Sequence, residues 1–149
     1  MPVDLTALRT EIENDPNGLG YAPLMARGSD ADVAVLLNQK RAGAQYAVFK
    51  PDAALKDVIE AITAADYVAL TAVQVARLQL LFTGGYADCS RVNTRQILND
   101  LFSGASAPTR AAVLAVISRE GSRAEKLFGV GTEIQHLQIA AAFGRGTGG

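Results

Sequence analysis

Apolar positions recur along this 149-residue chain at helical spacing, in short blocks broken by polar or glycine-containing segments. Leu5, Leu8 and Ile12 fall at i, i+3 and i+7 behind Asp4, a side chain suited to capping a first helix. That helix is expected to stop near Asn14, because Asp15 precedes Pro16 and a residue before proline is biased away from helical dihedrals. Residues 16–28 hold two prolines and three glycines and read as a loop, ordered by Leu19, Tyr21 and Leu24 folding back onto the core. Ser29-x-x-Asp32 resembles a capping box opening a second helix, with Val33, Leu36 and Leu37 inward and Gly43 as terminator. Tyr46, Val48 and Phe49 are β-prone but precede Lys50-Pro51, which predicts an extended connector rather than a paired strand.

Asp52 is placed to cap a third helix carrying Leu55, Val58, Ile59 and Ile62, whereas residues 66–70 are too short to assign. Thr71-x-x-Gln74 starts the next helix, through Val75, Leu78, Leu81 and Phe82 to Gly84-Gly85. Asn93-x-x-Gln96 starts another, with Ile97, Leu98, Leu101 and Phe102, closing at Gly104. Ser106, with Pro108 near the first turn, leads a helix through Val113, Val116 and Ile117 to Gly121. Ser122-x-x-Glu125 is a regular capping box before a short helix ended by Gly129, and a last helix is expected over 133–143. The prediction is an all-α fold: an irregular bundle of about eight short helices forming a single domain over 1–143. Residues 144–149 read as a flexible glycine-rich tail.

Composition agrees with that pattern. Alanine, the best helix former, occupies 26 positions, and tryptophan is absent, which favours small side chains between closely packed helices. The longest apolar runs are about five residues, far short of the roughly 20 that span a bilayer, and no targeting segment is expected at the N-terminus. The reading is therefore a protein made in the cytoplasm and not inserted in a membrane. The formal net charge of −1 argues against a dedicated nucleic-acid binder, whose footprint is strongly basic. Residues 1–66 nevertheless carry net −4 and 67–149 net +3. Such opposite signs would suit head-to-tail contacts between identical subunits.

Reactive residues are few. One cysteine, Cys89, excludes an internal disulfide, and with one histidine, His136, it makes no zinc site. Nucleophilic catalysis needs a base beside the nucleophile and a group that orients the base, and no motif marks Cys89, Ser90 or His136 for those roles. Cys89 reads as a buried, unreactive thiol. Gly18-Leu19-Gly20-Tyr21 and Gly129-Val130-Gly131-Thr132 lack the remaining residues of a dinucleotide fingerprint or a P-loop and read as turns. The acidic pairs Asp30/Asp32 and Glu11/Glu13 match no metal-binding spacing, and Asp30 and Asp32 sit where a helix dipole favours them. No catalytic residue, cofactor or metal is expected, and the chain is not read as an enzyme.

Residues 93–118 have the outline of a helix-turn-helix, and Arg91, Arg95, Arg110, Arg119, Arg123 and Arg145 are the residues placed to contact phosphates or protein partners. The second helix of that outline is small and apolar, offering Thr109 and Arg110 and little else to read a base edge. Arginine supplies 10 of the 14 basic residues, a preference that suits protein interfaces. Protein contacts are thus favoured over DNA.

Leu8-Arg9-Thr10-Glu11-Ile12, Asp15-Pro16, Gly20-Tyr21-Ala22 and Asp32-Val33-Ala34-x-x-Leu37-Asn38 together resemble the opening of small helical proteins of tailed bacteriophages. Ile117-Ser118-Arg119 and the run from Ser122 to Gly129 are similar to their C-terminal part, while the middle of the chain matches only in helical patterning. Such proteins are encoded among virion genes, often without a defined role. The resemblance implies a structural, non-enzymatic part of the particle, of head–tail connector or adaptor type, acting in a homo-oligomer or against other virion proteins. It implies location in the virion after synthesis in the host cytoplasm, and it transfers no catalytic residue. The alternative is a non-virion phage protein that binds DNA or a host factor through its basic C-terminal half.

Overall fold

The computed structural model describes residues 2–145, and most of these are helical. The helix Tyr21–Ala26 falls where the sequence pattern predicts a loop, the helix Ala64–Ala69 overlaps a stretch it leaves unassigned, and the two small strand pairs are not predicted by it. The described chain divides into two compact units: residues 47–119 form one, and the segments before and after them form the other. A single domain over 1–143 is the sequence expectation; within the described chain the division into units follows where the apolar stripes find their partners. The tail residues 146–149 lie outside the described part.

The discontinuous unit contains α1 (Leu5–Asn14), α2 (Tyr21–Ala26), α3 (Asp30–Asn38), α9 (Arg123–Phe128) and α10 (His136–Ala142). Asp4 caps α1 as expected, its carboxylate accepting the amides of Thr6 and Ala7 at 2.9 and 3.1 Å. The segment read as a loop contains α2. Asp15 turns the chain into the left-handed region (φ 41°) and then gathers the amides of Leu19 and Gly20 at 2.7 and 2.8 Å, which aims Tyr21 into the core. Pro23 is tolerated in the first turn of α2, where its missing N–H has no helical partner to lose. The box expected at Ser29 does not form: the hydroxyl donates to the Asp32 carboxylate instead of accepting a backbone amide. Helix α3 also ends at Asn38, before Gly43, and α10 starts at His136 rather than near 133.

Helix α10 packs on α1 and α3, while α3 also contacts α2 and α9. Leu8, Ile12, Tyr21, Val33, Leu37, Ala124, Ile134 and Ile139 make the core of this unit. Ser122 and Glu125 form the expected capping box of α9. Arg41 N–H donates to the Gly121 carbonyl at 2.9 Å, tying the end of the first segment to the start of the second.

The contiguous unit begins with β1 (Val48–Phe49) and β2 (Ala53–Ala54), followed by α4 (Leu55–Ala61), α5 (Ala64–Ala69) and α6 (Ala72–Leu81). It continues through β3 (Tyr86–Ala87), α7 (Val92–Leu101), α8 (Ala107–Ile117) and β4 (Ser118–Arg119). The Tyr46–Phe49 stretch read as an unpaired connector does pair: Val48 and Phe49 lie antiparallel to Arg119 and Ser118, and Ala53 and Ala54 to Ala87 and Tyr86. Strand β2 also displaces the cap of α4 from Asp52 to Ala54, whose side chain makes no capping bond. The Thr71–Gln74 box of α6 forms as predicted. Asn93 does not cap α7 but lies within it, since the helix starts at Val92 behind Arg91. The core gathers Val58, Ile62, Leu78, Phe82, Leu98, Leu101, Phe102, Val113 and Ile117 around α8, which packs against α4 and β2.

This assembly of distant segments redistributes charge. The discontinuous unit carries seven basic and nine acidic residues, net −2, and the contiguous unit seven and six, net +1. The contrast between chain halves does not become two strongly opposed bodies, because the C-terminal cations fold beside the N-terminal acids.

Candidate interaction surface

Helix α7 divides its apolar residues between two sides. Leu98 and Leu101 are buried in the core, whereas Val92 and Ile97 remain 59% and 41% exposed. Apolar grooves of about 470 and 450 Å³ flank it on the contiguous unit. The first lies toward α8, with buried Phe102, Val113 and Ile117 at its base and exposed Val92, Leu114 and Arg110 beside them. The second lies toward α6 and is lined by Arg77, Leu80, Leu81, Ile97, Asp100 and Leu101. Leu80 is 76% exposed there, so a large aliphatic side chain stands in water without cover. Of the 13 large apolar side chains exposed among the described residues, nine belong to this unit, which locates its uncovered apolar area.

The candidate arginines are divided between the two units. Arg91, Arg95, Arg110 and Arg119 lie in the contiguous unit, and Arg123 and Arg145 in the other. Arg91 pairs with Asp88 at 3.3 Å on the surface. Arg95 donates to the carbonyls of Cys89 and Ser90 at 3.0 and 2.7 Å and stacks 4.4 Å from the Phe49 ring centre, pinning the loop that precedes α7. Arg119 lies in β4, opposite Val48. Arg123 is held by Glu11 at 2.7 Å, and Arg145 makes a bidentate pair with Asp30 at 2.9 and 2.7 Å. Arg110 is exposed on α8, its guanidinium unpaired among the described residues. Its neighbours on the outer face of that helix are Ala111 and Leu114, which offer no hydrogen bonds to a base edge.

The reactive residues are likewise divided between the two units. Cys89 is fully buried in the contiguous unit, and burial, aided by the Asp88 carboxylate, pushes its thiol up to about 11. Ser90 donates its hydroxyl to Asp88, and His136 is exposed at the start of α10 in the other unit. Most amides of the two glycine clusters are already engaged: Asp15 takes those of Leu19 and Gly20, and Glu125 accepts the Gly131 amide at 2.8 Å. Among the described residues no three His, Cys, Asp or Glu side chains are arranged to hold a metal ion, and no helix is long and apolar enough to cross a membrane.

Sequence reasoning passed over Asp66, in the segment too short to assign. From α5 its carboxylate accepts the backbone amide of Ser106 at 3.1 Å and the hydroxyls of Ser106 and Thr109, so it caps α8 from another helix. Those bonds hold its carboxyl at about 2, below the ordinary value. The missed grooves had a signal too. Val73, Arg77 and Leu80 fall at i, i+4 and i+7 on α6, a stripe separate from the buried Leu78 and Phe82. Comparison with known proteins finds no matching family model, no similar curated protein and no similar solved structure.

Proposed function

We propose that the chain is a structural, non-enzymatic component of a tailed-phage particle, of head–tail connector or similar accessory type, working through protein–protein contacts. The observation that carries this reading is the uncovered apolar surface on both sides of α7. The exposed aliphatic side chains beside these grooves give a partner apolar surface to cover, and the arginines next to them are a residue type enriched in protein interfaces. The phage setting rests on the sequence resemblance at residues 8–38 and 117–129. DNA binding is the weaker reading, because Arg95 and Arg123 are spent on contacts within the fold, Arg145 is paired with Asp30 on the surface, and Arg110 is flanked on the outer face of α8 by Ala111 and Leu114.

The test is the composition of purified particles from a phage encoding this chain, identified by mass spectrometry. Recovery of the chain in stoichiometric amounts with the virion proteins is the expected result. Its absence from particles, together with salt-dependent retention of the free protein on DNA, would replace this reading with the alternative.

A further inference from the structure

The two grooves beside α7 differ in charge. The one toward α8 is lined by Arg95 and Arg110 and no acid, so a second copy of it would be repelled. The one toward α6 carries one cation and one anion, Arg77 on α6 and Asp100 on α7. Both are exposed, and neither side chain has a hydrogen-bond or ion-pair partner among the described residues. Gln74 Nε2 donates to the Leu101 carbonyl at 3.4 Å, placing the first turn of α6 beside the last turn of α7. The surface thus offers an apolar strip, Leu80 and Ile97, with opposite charges on its two helices.

Such a patch is its own complement under a two-fold rotation. In an isologous contact every pairwise contact occurs twice, so a single cation and a single anion supply two ion pairs per dimer. We infer that the α6–α7 groove is a self-association surface, in which Leu80 and Ile97 of one copy cover those of a second and Arg77 faces the second copy's Asp100. This rests on the protein-contact reading above and names the partner for one face: another copy of this chain. Val73, 61% exposed and one turn before Arg77, extends the same stripe on α6.

The test is the mass of the free full-length protein, by sedimentation equilibrium or light scattering up to roughly 100 µM, a range that detects micromolar affinity. The expected mass is twice 15.6 kDa at the upper concentrations. Arg77→Asp and Asp100→Arg each place like charges across the contact and weaken it by about tenfold or more, while the double reversal brings association back to near the original strength. Leu80→Asp abolishes it. All three positions are exposed, and an unchanged circular-dichroism spectrum checks that each variant is folded. A monomer throughout the range overturns the inference, as does a double reversal no tighter than either single change. A monomeric chain still recovered in purified particles would remove self-association and leave the protein-contact reading intact; a dimer absent from particles would do the reverse.

Discussion

Arg123 grips Glu11 across 112 residues of chain, Nε to Oε1 at 2.7 Å and Nη2 to Oε2 at 2.9 Å. The pair joins α1 to the first residue of α9, with side chains only 17% and 3% exposed. Tyr21 adds its hydroxyl to Oε1 at 3.3 Å, and burial, reinforced by the Glu11 charge, raises its phenol well above the ordinary value, keeping it a donor. Arg123→Met strands the carboxylate in the interior and is expected to cost about 3–5 kcal/mol in urea unfolding. Glu11→Leu, Arg123→Met and Tyr21→Phe together remove every polar member and should recover most of that loss. A triple variant as unstable as the single one would show that packing, not the stranded charge, is responsible.

Asn38, the last residue of α3, uses its side-chain amide as a neighbouring strand would use its backbone. Nδ2 donates to the Ile134 carbonyl at 2.8 Å, and Oδ1 accepts the Ile134 amide at 2.7 Å. Ile134 is 1% exposed, so both backbone groups depend on this one side chain. Asn38→Ala is expected to cost about 1–3 kcal/mol and to accelerate hydrogen exchange at the Ile134 amide. Asn38→Asp keeps the acceptor but turns a carboxylate oxygen toward the carbonyl, and should be at least as damaging. Unchanged exchange at Ile134 in the alanine variant would refute the assignment.

The cap that Asp66 lends to α8 gives the contiguous unit an acid limit. Its carboxyl lies at about 2 in the folded protein against an ordinary 3.8, because Ser106 and Thr109 donate to the charged form. A lowered folded value means that the contribution is fully present above the unfolded value and is lost as pH falls through the folded one. Denaturation midpoints should therefore decline between about pH 4 and pH 2. Asp66→Asn is expected to flatten that part of the profile and to lower stability at pH 7. Parallel profiles for the two proteins across this range would exclude Asp66 as the source.

Local signals were legible where a cap and a stripe act within one turn. Asp4, Thr71 with Gln74, and Ser122 with Glu125 each place an acceptor within reach of amides in the same turn, and each forms the expected cap. They became illegible where a distant group competed. Ser106 heads α8 as predicted, but its hydroxyl goes to Asp66, 40 residues earlier. Strand partners are likewise remote: Val48 finds Arg119, and Ala53 finds Ala87, pairings that no local pattern encodes. The two-unit division is of the same kind, since it depends on α10 choosing α1 and α3. The arginines were visible as a set, yet their engagement was not, because Glu11 and Asp30 lie more than 100 residues from Arg123 and Arg145.

Cys89 should behave as part of the core. Its thiol is fully buried, its amide donates to the Lys50 carbonyl at 2.9 Å, and burial has moved its ionisation to about 11. At pH 8 only about one such thiol in a thousand is ionised, and thiolate is the reactive form. A disulfide reagent such as Ellman's should therefore label the native protein at least about a hundredfold more slowly than the urea-unfolded chain, which is itself only partly ionised at that pH, at a rate set by opening of the fold. Cys89→Ser puts a hydroxyl in the same apolar site and is expected to cost about 1–3 kcal/mol if the hydroxyl finds no partner there. Rapid native labelling would mean that the loop before α7 opens readily, and the Arg95 clamp on the Cys89 and Ser90 carbonyls would then be the first contact to re-examine. Arg95→Ala decides between those cases: with the clamp intact in the native protein, its removal should speed labelling of Cys89 well before it changes the global unfolding midpoint.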